Sequence, residues 1–152
     1  MNLSEILSEQ CISLNIQGRT KPEVIQEMAA LATQSDKIGD EEALVEALMA
    51  REKIQTTGIG HGMAIPHATA EGVRGLVLCL GISRKGIDFE SLDGKPVNLI
   101  FMLAGEPRLQ TSFLSILSKI SRFFRKSSFR EEVHKARSAQ EIIEMIEARE
   151  EE

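Results

Sequence analysis

The sequence predicts an α/β sandwich, a single domain with a mixed, mostly parallel β-sheet flanked by helices on both faces. Three observations carry this. Two segments, "GLVLCLGIS" (75–83) and "VNLIFMLA" (97–104), are apolar almost throughout, the pattern of strands covered on both sides. Helical patterns precede and follow them, with spacings of three and four between apolar residues. No repeat, low-complexity stretch or linker divides the 152 residues, so one domain is expected to span 1–152.

The elements follow in order. "CISLNI" (11–16) alternates apolar and polar residues and reads as a strand. Thr20 and Glu23 have the spacing of a capping box, and Pro22 lies in the first turn, where its missing N–H costs nothing. The helix they open carries Val24, Met28 and Leu31 on one stripe. Asp40 is placed to cap a second helix, with Ala43, Leu44, Ala47 and Leu48 facing inward. Between the two apolar strands, "KGIDFESLDGKP" reads as loop, with Asp93-Gly94 its strongest turn signal. After Pro107, the residues Leu109, Phe113, Leu117, Ile120 and Phe124 recur at helical spacing. "SSFREEVHKA" predicts a short helix. Ser138 and Glu141 predict a capping box at the start of a last one, whose acidic end reads as a solvated tail.

Composition excludes several functions. Hydrophobic residues make up 42% and charged residues 27%, an ordinary globular balance. The net charge of −5 offers no basic surface for nucleic acid. No apolar run is long enough to insert in a membrane, and "MNLSEILSEQ" lacks the pattern of a signal peptide, which points to the cytoplasm. Cys11 and Cys79 are far apart in sequence and sit in apolar runs, so both read as buried thiols. Trp and Tyr are absent, which removes the usual stacking platforms for bases and sugars.

The chemistry concentrates in "TTGIGHGMAIPHA" (56–68). Its glycines are spaced G-x-G-x-G, a helical pattern precedes them, and Pro66 follows, so it is not a dinucleotide fingerprint. It is not a P-loop either, since no Gly-Lys-Ser/Thr follows. The alternative is presentation of a histidine. Glycines allow positive φ, and the residue before Pro66 is pushed toward extended geometry, which would hold His67 at the end of a sheet. An imidazole with a reference pKa of about 6.5 is largely neutral and nucleophilic at pH 7. Its second nitrogen would donate to a carbonyl or side chain and set the tautomer. The other two histidines read differently: His134 as a surface residue in a charged helix, His61 as exposed and idle. His61 and His67 lack the further ligands that a metal site would need.

The run "REKIQTTGIGHGMAIPHA" (51–68) resembles the active-site signature of the fructose/mannitol-type EIIA domains of the bacterial phosphoenolpyruvate-dependent phosphotransferase system. "IDFESLDGKPVNLIFMLAGEP" and "FLSILSKISRFFRKSSFREEVHKARSAQEIIEMI" resemble the family's hairpin with its strand and its C-terminal helices. The resemblance implies that His67 accepts a phosphoryl group from a phosphohistidine carrier protein (HPr-like) and passes it on, without cofactor or metal. It implies that Arg51 offsets phosphate charge and that Thr57 bonds phosphate oxygens. Backbone amides around Gly58 to Gly62 could add donors in an anion nest. The acceptor would be an EIIB domain or a regulatory target protein. Phe113 stands where the family carries a second histidine; a phenyl ring neither donates to phosphate nor carries charge, which leaves Ser112 or Thr111 as substitutes. The expected function is that of a nitrogen-regulatory-like phosphocarrier, a phosphotransferase component. The alternatives are an EIIA subunit of a fructose/mannitol-type permease and a non-catalytic regulatory binding module.

Overall fold

The structure is a computed structural model, and it describes residues 1–151. Helices α2 (Lys21–Ala32) and α3 (Glu41–Ile54) follow a short helix α1 (Leu3–Ile6) and strand β1 (Leu7–Ser13). Three short strands come next, β2 (Gly58–Gly60), β3 (Met63–Ala64) and β4 (His67–Thr69). The long strands β5 (Leu76–Ile87) and β6 (Val97–Gly105) lead to α4 (Gln110–Phe123), α5 (Ser127–Lys135) and α6 (Ala139–Glu150).

The sheet runs β1-β5-β6-β3-β2, and β4 also pairs with β6. It is mixed, as expected: β1 with β5, and both β3 and β4 with β6, are parallel, while β5–β6 and β2–β3 are antiparallel. Strand pleating explains the apolar runs of β5 and β6. Leu76, Leu78, Leu80 and Ile82 face a core with Leu99, Phe101 and Leu103, covered by α1, α4, α5 and α6. Val77, Cys79, Ile100, Met102 and Ala104 face the opposite core, covered by α2 and α3. From Leu76 to Ile82 and from Leu99 to Ala104 the residues are buried between helix layers, so these stretches have no face to leave polar, whereas Arg84 and Lys85 near the end of β5 are exposed.

Local chemistry sets several helix starts. The Thr20 hydroxyl accepts from Glu23 N at 3.3 Å, and the Glu23 carboxylate accepts from Thr20 N at 3.2 Å. Asp40 Oδ1 accepts from Ala43 N at 3.0 Å. Ser138 Oγ accepts from Glu141 N at 3.1 Å, but the Glu141 carboxylate takes the N–H of Arg137 rather than that of Ser138, so the expected box closes one residue early.

Three expectations need correction. The first strand lies at Leu7–Ser13 rather than 11–16, after a helix that the sequence did not announce. That helix is held from outside: the Glu150 carboxylate accepts from Leu3 N at 2.5 Å and from Ser4 N at 3.2 Å. Strand β5 continues to Ile87 across an irregularity in the ladder, so the loop begins later than "KGIDF" suggested. Cys11 and Cys79 are free and buried, as expected, but far apart in sequence they are spatial neighbours, because parallel pairing sets β1 beside β5. Among the described residues, no helix is long and apolar enough to cross a membrane.

Candidate functional site

The glycine segment forms a hairpin. β2 and β3 pair antiparallel, and the turn between them carries Gly60 at φ +99°, His61 at +59° and Gly62 at +77°. Three successive left-handed residues are possible here because two lack a Cβ. The hairpin is clamped to β6, since Gly62 O accepts from Asn98 N at 2.8 Å and Leu99 N at 3.0 Å.

From the hairpin the chain runs along the edge of β6. β3 pairs at Leu99 and Ile100, and β4 pairs at Leu103 to Gly105. Pro66 lies between them. It has no N–H for the ladder, but its carbonyl accepts from Leu103 N at 3.0 Å, which fixes the start of β4 and with it His67. His67 Nδ1 lies 2.7 Å from the carbonyl oxygen of Ile65. A carbonyl only accepts, so Nδ1 carries the proton and Nε2 keeps the free lone pair. The ring is part-buried. Burial chiefly holds its pKa below the usual histidine value, and the positive charge of Arg51 adds to this; the Ile65 carbonyl and the Glu52 carboxylate pull the other way. The result is a neutral imidazole with one fixed, available nitrogen.

Phe113 lies against this ring. It is buried at the start of α4, with its centroid 5.9 Å from that of His67 and the planes tilted by 56°. Gly105, the last residue of β6, makes the approach possible: a Cβ there would stand 2.6 Å from Phe113 Cδ2. Thr111 and Ser112, the offered substitutes, are exposed at the start of the same helix and line a shallow pocket with Leu76, Ser115 and Ile116.

The expected phosphate ligands are placed unequally. Arg51 lies in the last turn of α3, with Nη1 donating to Gln55 O at 2.7 Å, and its charge is felt at His67. Thr57 is 3% exposed, and its hydroxyl donates to the Glu52 carboxylate, not toward open space. The same carboxylate accepts from Thr57 N at 3.0 Å and meets Lys21 Nζ at 2.8 Å. The anion nest around the glycines is not formed as expected. Gly58 N donates to Thr56 Oγ1 and His61 N to Asp93 Oδ2. The hairpin turn pairs with β6 at Leu99, four residues from the Leu103 partner of His67, or about 13 Å of strand.

Glu52 is a residue of the candidate site that sequence reasoning missed. Its signal was available: it continues the stripe of Leu44 and Leu48 at a spacing of four, so a carboxylate occupies an inward helix position. His134 also differs from expectation. It is partly buried, and its Nδ1 has no hydrogen-bond partner among the described residues. His61 is exposed at the hairpin tip.

Comparison with known proteins bears on the family and on the fold. A relative in Bacillus subtilis, the PTS system fructose-specific EIIABC component, is 37% identical over 146 residues, which cover 96% of this chain and 23% of that protein. The chain thus spans about a quarter of the length of that relative. The crystal structure of the nitrogen regulatory protein IIA-Ntr from Neisseria meningitidis superposes with a TM-score of 0.88 at 32% identity, covering 95% of this chain and 98% of that one. The Escherichia coli mannitol IIA enzyme, solved in complex with phosphorylated IIB, shares the fold, with a TM-score of 0.80 at 19% identity and coverage of 93% and 96%. The model of the family described as phosphoenolpyruvate-dependent sugar phosphotransferase system, EIIA 2, matches residues 5–149, and the chain belongs to that family.

Proposed function

We propose that the chain is a cytoplasmic phosphocarrier phosphorylated on His67 Nε2 by a phosphohistidine carrier protein, and that it acts as a regulatory component of the phosphotransferase system. One observation carries the reading most: the Ile65 carbonyl fixes the His67 tautomer and leaves Nε2 free in a part-buried site beside Arg51. In the transfer, the Nε2 lone pair forms the new P–N bond as the donor's P–N bond breaks, and that bond's electron pair returns to the donor imidazole. His67 keeps its Nδ1 proton against Ile65 throughout. Positioning and charge neutralisation do the work, with Arg51 as the cation. Among the described residues the other guanidinium N–H groups of Arg51 have no hydrogen-bond partner, which suits them to phosphate oxygens. Thr57 enters as a residue that joins the hairpin to Glu52; its hydroxyl would have to leave Glu52 to reach phosphate. Leu114, beside Phe113, is 55% exposed and suits a protein donor's contact surface.

The nitrogen-regulatory structure, similar over nearly its whole length, supports the regulatory use. The fructose-specific relative supports the second reading, an EIIA unit that passes phosphate to EIIB. Phe113 supports the third, a binding module with weakened transfer, because it puts an apolar ring where a polar group would stabilise phosphohistidine.

Incubation with phosphoenolpyruvate, the system's first enzyme and its carrier, followed by intact mass, tests the carrier reading. A phosphate-sized gain that is acid-labile and lost in His67→Ala is expected, with slower gain in folded Arg51→Ala. Absence of the gain, under conditions that phosphorylate a control EIIA, refutes it. Onward transfer to added EIIB separates the permease reading from the regulatory one.

A further inference from the structure

Helix α4 carries a different chemistry at its other end. Its last turns, the residues just after it, the end of α6 and the start of α1 enclose a concavity of about 400 Å³. Lys119, Arg122, Lys126 and Arg149 line it, against a single carboxylate, Glu150, in a chain whose net charge is −5. Glu150, its oxygens held by Leu3 N, Ser4 N and the Ser4 hydroxyl, sets one negative charge against these four positive ones, so the hollow keeps an excess of positive charge. Arg149 lies over the Phe129 ring at 4.8 Å and reaches Glu132 only at 3.7 Å, and Lys119 donates to the Met1 carbonyl. The side chains of Arg122 and Lys126 make no ion pair or hydrogen bond among the described residues.

Cations in the last turn of a helix ordinarily complement its dipole. That accounts for Arg122 and Arg149, which sit in the last turns of α4 and α6. It does not account for Lys119 or for Lys126, which lies beyond the helix, yet both converge on the same hollow. Phe123 supplies an apolar wall. Its partly buried ring is backed by Phe124 at 6.5 Å and Phe129 at 6.0 Å. Convergent Lys and Arg side chains suit phosphate oxygens, and although Trp and Tyr, the usual platforms, are absent, the backed Phe123 ring suits a planar base.

We propose that this pocket binds a nucleoside polyphosphate, with its phosphates against Lys119, Arg122 and Lys126 and its base against Phe123. The concavity has the volume of a small-molecule site, whereas a stable protein partner needs about 800 Å² of surface from each side. The site does not overlap the histidine site. Phe113 and Phe123 are ten residues apart on α4, about 15 Å along its axis, so one helix backs both.

Titration calorimetry with ADP and with inorganic pyrophosphate tests this, at about 150 mM salt, where exposed charges are screened beyond roughly 8 Å. Saturable ADP binding with Kd of about 0.1 mM or tighter is expected. The Arg122→Glu/Lys126→Glu variant, altered only at exposed residues, should lose it at least tenfold, with the melting temperature lowered by only about 1–4 °C, the cost of an altered charge at the end of α4. Phe123→Leu should weaken ADP binding and leave pyrophosphate binding unchanged. The proposal is overturned if ADP shows no saturable binding at about 1 mM, or binds the charge-reversed protein equally well. Binding of an oligoglutamate peptide but not ADP also overturns it, in favour of a protein partner.

Discussion

Glu52→Ala strands three groups at once. Lys21 Nζ, on a side chain 13% exposed, loses the carboxylate 2.8 Å away, and the buried Thr57 N–H and hydroxyl lose their acceptor. Breaking a buried pair from one side costs about 3–5 kcal/mol. The residual exposure of Lys21 and the Phe89 ring 5.0 Å from its ammonium put the expected loss at the lower limit, about 3 kcal/mol. For a domain of this size each kcal/mol lowers Tm by about 2–4 °C, so thermal melts at pH 7 should shift down by about 6–12 °C. Glu52→Gln keeps the shape and one acceptor for Thr57 N, and should lose only about 1–2 kcal/mol. If the damage is the unpaired ammonium, the double variant Glu52→Met/Lys21→Met recovers part of the loss, a coupling that a double-mutant cycle reads directly. A Glu52→Ala melt within 2 °C of the parent, or strictly additive losses in the cycle, would refute the argument.

Two other perturbations bear on His67. Because its folded pKa lies below the usual value of about 6.5, phosphoryl acceptance should stay level as pH falls from 8 through 6.5 and decline only below that. The unfolded chain takes the proton first, so the stability tied to this ring is present above about 6.5 and is lost as pH falls through the folded value. Arg51→Ala should move the ring's NMR midpoint upward, and a parent midpoint at or above 6.5 contradicts the site electrostatics. Gly105→Ala places a Cβ 2.6 Å from Phe113 Cδ2 and 3.3 Å from Leu76 Cδ2, and should cost about 1–3 kcal/mol in a denaturant melt. Phe113→Leu in the same chain should relieve part of it, and an unchanged melt for Gly105→Ala would show that the contact is not tight.

The sequence was legible where structure is set locally. Thr20 and Asp40 cap the helices they were expected to cap, because a capping hydrogen bond spans only three residues. The apolar runs of β5 and β6 reported burial on both faces directly. It was illegible where the partner lies far along the chain. α1 depends on Glu150, and no window around Leu3 contains that carboxylate. The two cysteines read as distant because register, not spacing, makes them neighbours. At the site, the opposition of Phe113 and His67 followed from the family resemblance, and the ring contact agrees with it. The orientation of Thr57 did not follow. The chain shows that a hydroxyl precedes the glycines, but only packing shows that a buried carboxylate one turn back claims it.

The bond between Glu150 and the amides of Leu3 and Ser4 also has a mechanical meaning. The polypeptide enters and leaves at one corner, so a linker on either side leaves from the same point. Tethered through such a linker, the domain would behave as a pendant on a single pivot, sweeping its histidine through a sphere whose radius the linker sets. On the proposed phosphocarrier reading, that radius would set the local concentration at which the histidine meets a donor and an acceptor.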